Sequence, residues 1–318
     1  MPVLMSYESK VFVQLALTSK EQVIQILLLA LLKHGGVIKE FGSGNQEFSD
    51  EIADKLGLTK NQRMGLMQTI VRKEGRVKTF PAWHRLLYRS AAQAARQRLL
   101  SHPTQTLKIT QKKEWMLTES GIDQALRLSN IPITEKVNLS IKTYEVQKVK
   151  NKLEHTERIK NYNPIDKSKR VTRTTSESLL RTRGFRQAII EVYDYCCSVC
   201  GLKINSPDFV GWEVEAAHIV PHRYYGKDDI WNGLALCHLH HWAFDVGWFT
   251  LREDFTVEVS QKIHDLPANQ GCIGDYEILK GSLKSDSTII LPKRATIYPH
   301  VNAIIWHRQH IFNSSAIS

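Results

Sequence analysis

Two short ligand pairs constrain this chain more than any other feature. Cys197-Ser-Val-Cys200 is followed by Gly201, and Cys237-His-Leu-His240 comes after 36 intervening residues. Each pair sets two soft or borderline donors on one tight turn, and two such turns can surround zinc tetrahedrally. Cys196 leaves the register of the first pair open, since Cys196 and Cys200 are three residues apart and Cys197 and Cys200 two. The tighter turn and Gly201 favour Cys197, with Cys196 read as a core-facing thiol. The reading is a closed structural zinc at Cys197, Cys200, Cys237 and His240, supporting a module too small for a large core of its own. Five cysteines in 318 residues do not make a disulfide framework. Cys272 stands apart from both pairs and reads as a buried thiol.

Between the pairs, Val214 to Val220 alternates and is ended by Pro221, which predicts a strand. Arg223 to Asp229 reads as a loop, Asn232-Gly233 as a turn, and Leu234 to Leu236 as a second strand. A helix opens at His240 or His241. His241 and Asp245 are four residues apart, so they share one helix face. Upstream, Leu179, Leu180, Phe185, Ile189, Ile190 and Tyr193 recur at near-helical spacing between Ser176 and Tyr195. Arg181, Arg183 and Arg186 fall on or near the opposite face. Trp242, Phe244, Trp248 and Phe249 read as packing for the module. Asp228 and Asp229 read as turn polarity, with an approach to a metal as the alternative, and His222 and His238 as surface histidines, with phosphate contact as the alternative.

The rest of the chain divides by charge. Residues 1–130 carry a net +8, residues 131–190 +8 and residues 191–318 −5, within an overall +11. Basic segments attract phosphate backbones, whereas an acidic segment bearing histidines suits a divalent cation. Residues 1–130 predict a small, mainly helical domain. Thr18-Ser-Lys-Glu21 reads as a capping box before an apolar helix that stops at Gly35-Gly36. Ser49 is expected to cap a helix over Asp50 to Leu56, and Thr59 one running to Lys73. Ala82 to Leu100 is helical after Pro81, and Trp115 to Leu126 reads as a strand entering a helix capped at Thr118. Residues 131–175 read as a Lys-rich connector, with a charged helix over Lys142 to Lys160 and a basic arm at Lys167 to Arg173. No apolar run reaches the roughly 18–20 residues that span a bilayer. With no signal peptide visible, the expectation is a cytoplasmic protein.

On these residues the chain resembles the ββα-metal, or HNH, nucleases. His218 matches the first histidine of that motif, Asn232 its asparagine and His241 its last histidine, with Asn232 and His241 nine residues apart. The wider strings Glu215-Ala-Ala-His218-Ile, Asn232-Gly-Leu-Ala-Leu-Cys237 and His240-His-Trp-Ala-Phe-Asp245-Val-Gly247 resemble a bacterial restriction and defence subgroup. Gly184-Phe-Arg186 resembles its lead-in helix. Leu291-Pro292, Pro299 and Ile305-Trp-His-Arg308 resemble its ending. The strand-into-helix close of residues 1–130 resembles winged-helix domains of restriction proteins.

The resemblance implies an α+β chain: a winged-helix-like specificity domain at 1–130, a basic linker at 131–175 and a zinc-stabilised nuclease domain at 176–318. It implies a metal-dependent endonuclease acting on double-stranded DNA, of specific sequence (type II) or with a modified base (type IV). His218 would be the general base, with His241, Asp245 and Asn232 around Mg²⁺ or Mn²⁺. Asn232 would either hold the loop or give its oxygen to the metal. Many members carry Asp or His directly before the base, where this chain has Ala217. Glu215, on the same strand face, would either replace that ligand, directly or through water, or stand behind the ligands or face solvent. Arg181, Arg183, Arg186 and Arg223 would contact DNA. Trp83, Tyr88 and Trp115 are candidates to line a modified-base pocket, with core packing as the plainer reading. One such site cuts one strand, so a double-strand break implies a homodimer. The competing readings are a zinc-stabilised DNA-binding regulator with an inactive nuclease module and a ligand-controlled nuclease effector.

Overall fold

A computed structural model describes residues 6–71, 76–137, 139–166, 175–207, 211–262, 279 and 281–313. The basic arm at Lys167 to Arg173 and Cys272 lie outside the described residues. The chain divides into two units, 1–147 and 148–318. No described helix is long and apolar enough to cross a membrane.

In the first unit, α1 (Tyr7–Gln14) precedes α2 (Lys20–Lys33), whose Val23, Ile24, Leu27, Leu28, Ala30 and Leu31 are buried. The cap of α2 is Ser19 with Gln22, one residue later than expected from Thr18 and Glu21. The helix stops where Gly35 and Gly36 take φ of 71° and 84°, a conformation that favours glycine. After β1 (Val37–Ile38), α3 (Gln46–Lys55) is capped by Asn45 rather than Ser49. Ser49 is buried inside the helix, where its Oγ accepts from the Gly42 N–H.

Thr59 caps α4 as expected, but α4 (Lys60–Met64) ends at Gly65. The residues expected to continue it to Lys73 instead form β2 (Leu66–Val71), paired antiparallel with β3 (Arg76–Pro81). The run Thr69-Ile70-Val71 explains the change, because branched side chains favour strands. Then follow α5 (Ala82–Arg96), β4 (Leu100–Ser101), α6 (Pro103–Thr110), β5 (Trp115–Leu117) and α7 (Glu119–Leu128), the last capped by Thr118 as expected. Strands β1, β5 and β4 form one small sheet in that order. Trp83 and Trp115 are core residues, while Tyr88 is 40% exposed. Trp83 also walls a cavity of about 690 Å³ with Gln46, Asp50, Arg63 and His84.

The described part of the expected connector makes specific contacts. Lys136 is buried, with its ammonium 2.7 Å from Glu119 and 2.6 Å from Asp123. The charged helix α8 (Tyr144–Glu154) is shorter at both ends than expected, and the division between the units falls within it. Beyond it, Arg158 donates to the carbonyls of Tyr298 and Pro299, and Asn302 to that of Tyr162.

The second unit is built on α9 (Thr175–Val192), β6 (Val214–His218), β7 (Gly233–Cys237), α10 (His238–Asp245), β8 (Phe249–Leu251), β9 (Val257–Val259) and α11 (Val301–His307). Strands β6 and β7 pair antiparallel from Val214↔Cys237 to His218↔Gly233. Both α9 and α10 pack on this hairpin. Phe244 and Phe249 are in its core, but Trp242, expected there, is 51% exposed.

His307 seals one end of this core. Its ring stacks on Phe244 at 3.7 Å and 6°, its Nε2–H donates to the Phe244 carbonyl, and Nδ1 lies 2.9 Å from the Thr250 hydroxyl. Burial pushes its pKa down from 6.5 to about 3. A depressed folded value means that the contribution is full above about pH 6.5 and is lost as pH falls toward 3. The slope is up to about 1.4 kcal/mol per pH unit. With zinc in excess, melting of the wild type should therefore drop further between pH 7.5 and 5.5 than that of His307→Gln. Equal drops would show that His307 does not drive the acid sensitivity.

Candidate active site and metal centre

The four expected zinc ligands come together. The donor atoms of Cys197, Cys200, Cys237 and His240 all lie within 4.8 Å of one another, and Cys196 is not among them. The first knuckle is a tight turn, in which Gly201 N–H donates to the Cys197 carbonyl and Gly201 has φ 74°. Ser198 N–H fastens that knuckle to β7 through the Ala235 carbonyl at 2.8 Å. Cys237 is the cap residue of α10, so the end of β7 and the first helical turn aim Cys237 and His240 at one point.

His240 Nε2–H donates to the Ser282 carbonyl at 3.2 Å, which leaves Nδ1 facing the sulfurs of Cys237 at 3.0 Å and Cys197 at 3.6 Å. A second partner that sets the tautomer in this way is usual for a metal-bound histidine. The Cys197 thiol is held far below its ordinary range by its hydrogen bond with Cys237, and then by His240. That same bond pushes Cys237 up, and burial pushes Cys200 up. Three thiols and one oriented imidazole fit zinc, which would take all three as thiolates.

The second half of the site is the hairpin and its loop. At Gly233 an added Cβ would lie 2.4 Å from the side chain of Ile189 and 2.9 Å from Phe185. That close approach lets the Phe185 ring stack on His218 at 4.1 Å and 17°. His218 Nε2 lies 3.0 Å from Asp228 Oδ1, and His222 Nε2 lies 2.9 Å from the same oxygen. The Asp228 side chain is only 6% exposed, against 46% for His222. Asp228, expected to be turn polarity, and His222, expected to be a surface histidine, are thus partners of His218. No short-range pattern marks that pairing, because the loop fold creates it.

Asn232 holds this loop. Its side-chain oxygen accepts from Val220 N–H at 2.9 Å, and its amide donates to the carbonyls of Val220 and Lys227. It is fully buried. Its side chain thus bonds to backbone on both sides of the loop, and the oxygen keeps a second lone pair. Gly226 makes the same loop possible, as a Cβ there would come 1.7 Å from the Val220 carbonyl oxygen.

On α10, His241 Nδ1 lies 2.9 Å from Glu215 Oε2 and His241 Nε2 3.6 Å from Asp245 Oδ2. His238 Nε2 is 3.4 Å from the other Glu215 oxygen. The bond from His241 holds the Glu215 carboxyl below its ordinary range against the opposing effect of burial. Burial alone would lower the pKa of His241, but Glu215 and Asp245 outweigh it and raise the value. Burial raises that of Asp245, while the Arg223 charge opposes it.

Each of the two acids thus faces a different ring nitrogen. Arg186 acts electrostatically on Glu215 and His241, next in sequence to the Phe185 that stacks on His218. Arg223 acts on Asp245 and follows His222. Among the arginines expected to meet DNA, Arg223 is exposed and Arg181 and Arg186 are half-buried. Arg183 is 4% exposed and lies inside the fold, because it falls on the packed side of α9 beside Gly184 and Phe185.

A family model described as HNH endonuclease matches residues 197–252. Among solved structures, a modification-dependent TagI restriction endonuclease shares 20% identity, with a TM-score of 0.32. The match covers 44% of this chain and 44% of that one, so the chain spans less than half of that protein's length, and at this score the likeness does not carry the overall fold. No curated protein matches the chain. Residues 197–252 thus match an HNH endonuclease domain.

Proposed function

We propose that this protein is a metal-dependent restriction or defence endonuclease that cuts double-stranded DNA, with His218 as general base. The observation that carries this reading is the buried Asp228 carboxylate against His218 Nε2. An ionised carboxylate only accepts hydrogen bonds, so Nε2 carries the proton and Nδ1 keeps a lone pair that can take one from water. The Phe185 stack limits the ring's rotation, and Asn232 holds the loop that brings Asp228 to it.

His241 Nε2 and Asp245 would hold the divalent cation, Mg²⁺ or Mn²⁺, while Glu215 accepts the Nδ1–H of His241 and orients the ring. In this reading Glu215 is a positioning residue and does not replace the ligand absent at Ala217. The cation, when bound, supplies Lewis-acid stabilisation of the phosphorane and of the leaving 3′-oxygen. Arg186 and Arg223 would bind the phosphates flanking the scissile bond.

Residues 1–147 would choose the site. Helices α3 and α4 followed by the β2–β3 hairpin have the element order of a winged helix, although β1 pairs with β5 rather than with the hairpin. A double-strand cut by one-strand sites implies two copies, working on DNA in the cytoplasm. The test is plasmid cleavage with Mg²⁺ or Mn²⁺ on modified and unmodified DNA, followed by mapping of the cut ends. Fixed ends on one DNA class support the reading. No strand breaks with either metal on either DNA would sink it.

A further inference from the structure

The atoms that orient His218 also make a second metal site. His218, His222 and Asp228 place one donor atom each within 4.8 Å of one another. The two Nε2 atoms stand 3.0 and 2.9 Å from the shared carboxylate oxygen. Ligands on a tetrahedral zinc with bonds near 2.0–2.1 Å are about 3.3 Å apart, so a small spreading of these three atoms would admit the ion. The set is two imidazoles and one carboxylate, to which water could add a fourth donor. That chemistry suits Zn²⁺ and neighbouring transition metals, whereas Mg²⁺ favours oxygen donors. His222 is the entrance, as its side chain is 46% exposed while those of His218 and Asp228 are 13% and 6% exposed.

We infer that His218, His222 and Asp228 form a regulatory zinc site whose occupation switches the nuclease off. The inference rests on the proposed role of His218 as general base. Zinc bonded to Nε2 takes the position of the Nε2 proton. A neutral imidazole has one N–H, so its proton must then sit on Nδ1. The lone pair that would accept a proton from water is gone, with no residue displaced. No electrons are transferred, and the change is a tautomer shift with Zn–N and Zn–O bonds formed. The Cys197, Cys200, Cys237 and His240 site, with three thiols, would fill first. The His218 site would fill only as free zinc rises.

His222→Ala removes the exposed ligand and leaves the proposed catalytic groups in place. At constant Mg²⁺, zinc chloride should inhibit plasmid nicking by the wild type. For His222→Ala, half-inhibition should need at least about tenfold more zinc, and uninhibited nicking should stay within about fivefold of wild type, since Asp228 keeps its contact with His218. Equilibrium dialysis against buffered zinc should give two zinc ions per wild-type chain and one per His222→Ala chain.

Equal inhibition of both proteins, or two zinc ions in both, would overturn the inference and move the second ion elsewhere. If neither protein cuts DNA, the nuclease reading fails by itself, and the dialysis count still decides whether the zinc site exists.

Discussion

Replacing His218 with alanine should lower Mg²⁺-dependent DNA cleavage by about 10²–10⁴-fold, the range of a lost general base. That is about 3–5 kcal/mol of transition-state stabilisation. Folding should hardly change. The lost ring stack on Phe185 is worth about 0.5–1.5 kcal/mol, and the zinc knuckles are untouched. Asp228→Asn is the sharper companion. An asparagine amide can donate to Nε2, which favours the tautomer with its proton on Nδ1, and a wrong tautomer costs up to about 10⁴-fold in the serine-protease triad. Single-turnover rates at saturating metal measure both effects. Near-wild-type rates for His218→Ala would remove His218 from the chemistry and direct attention to His241 as the acting base.

Loss of zinc should have the second large effect, and it should be confined to one unit. Apparent binding energies of about 10–16 kcal/mol are usual for structural zinc in small peptides, as large as the whole stability of a typical domain at about 5–15 kcal/mol. Chelation, or Cys237→Ser, should therefore unfold residues around 195–260 while the first unit, with its own core around α2, melts as before. Calorimetry should show one transition lost and one retained. Activity after chelation should return with zinc plus Mg²⁺ and not with Mg²⁺ alone. Recovery with Mg²⁺ alone would mean that the four-ligand group is not what holds the module together.

The parts of the site that could be read from the sequence are those written at short range. The ligand pairs are each closed by one turn, and His218, Asn232 and His241 sit on adjacent elements whose spacing is set by a hairpin and one helix. Asp228 could not be read in this way. Its place beside His218 depends on the Gly226 close approach, on the Asn232 amide and on Ile165, which pairs with Gly226 from 61 residues upstream. Arg183 lies inside the fold rather than on the opposite face, because helical periodicity identifies a packed stripe better than its edges, and Gly184 lets α9 bury a wider face. The third helix of the first unit failed at Gly65, where pairing with β3 outweighed a continuing polar–apolar pattern. Capping residues shifted by one to four positions because several Ser, Thr and Asn residues compete for each helix start.

His240 faces the zinc ligands and His241 faces Glu215, yet they are neighbours on α10. Successive helical residues point about 100° apart, so a single peptide unit sets the angle between scaffold and chemistry. This has a consequence for how such a protein can diverge. Between Cys237 and Asp245, side chains other than Cys237, His240, His241 and Asp245 can be exchanged one at a time, each at its own local cost. An insertion or deletion of one residue between Cys237 and His241 would swing every later side chain by that angle, exchanging what the two histidines face. Outside those four residues this stretch is therefore free to vary in composition but locked in length, and inherited changes in its length should be found only in copies that no longer cut.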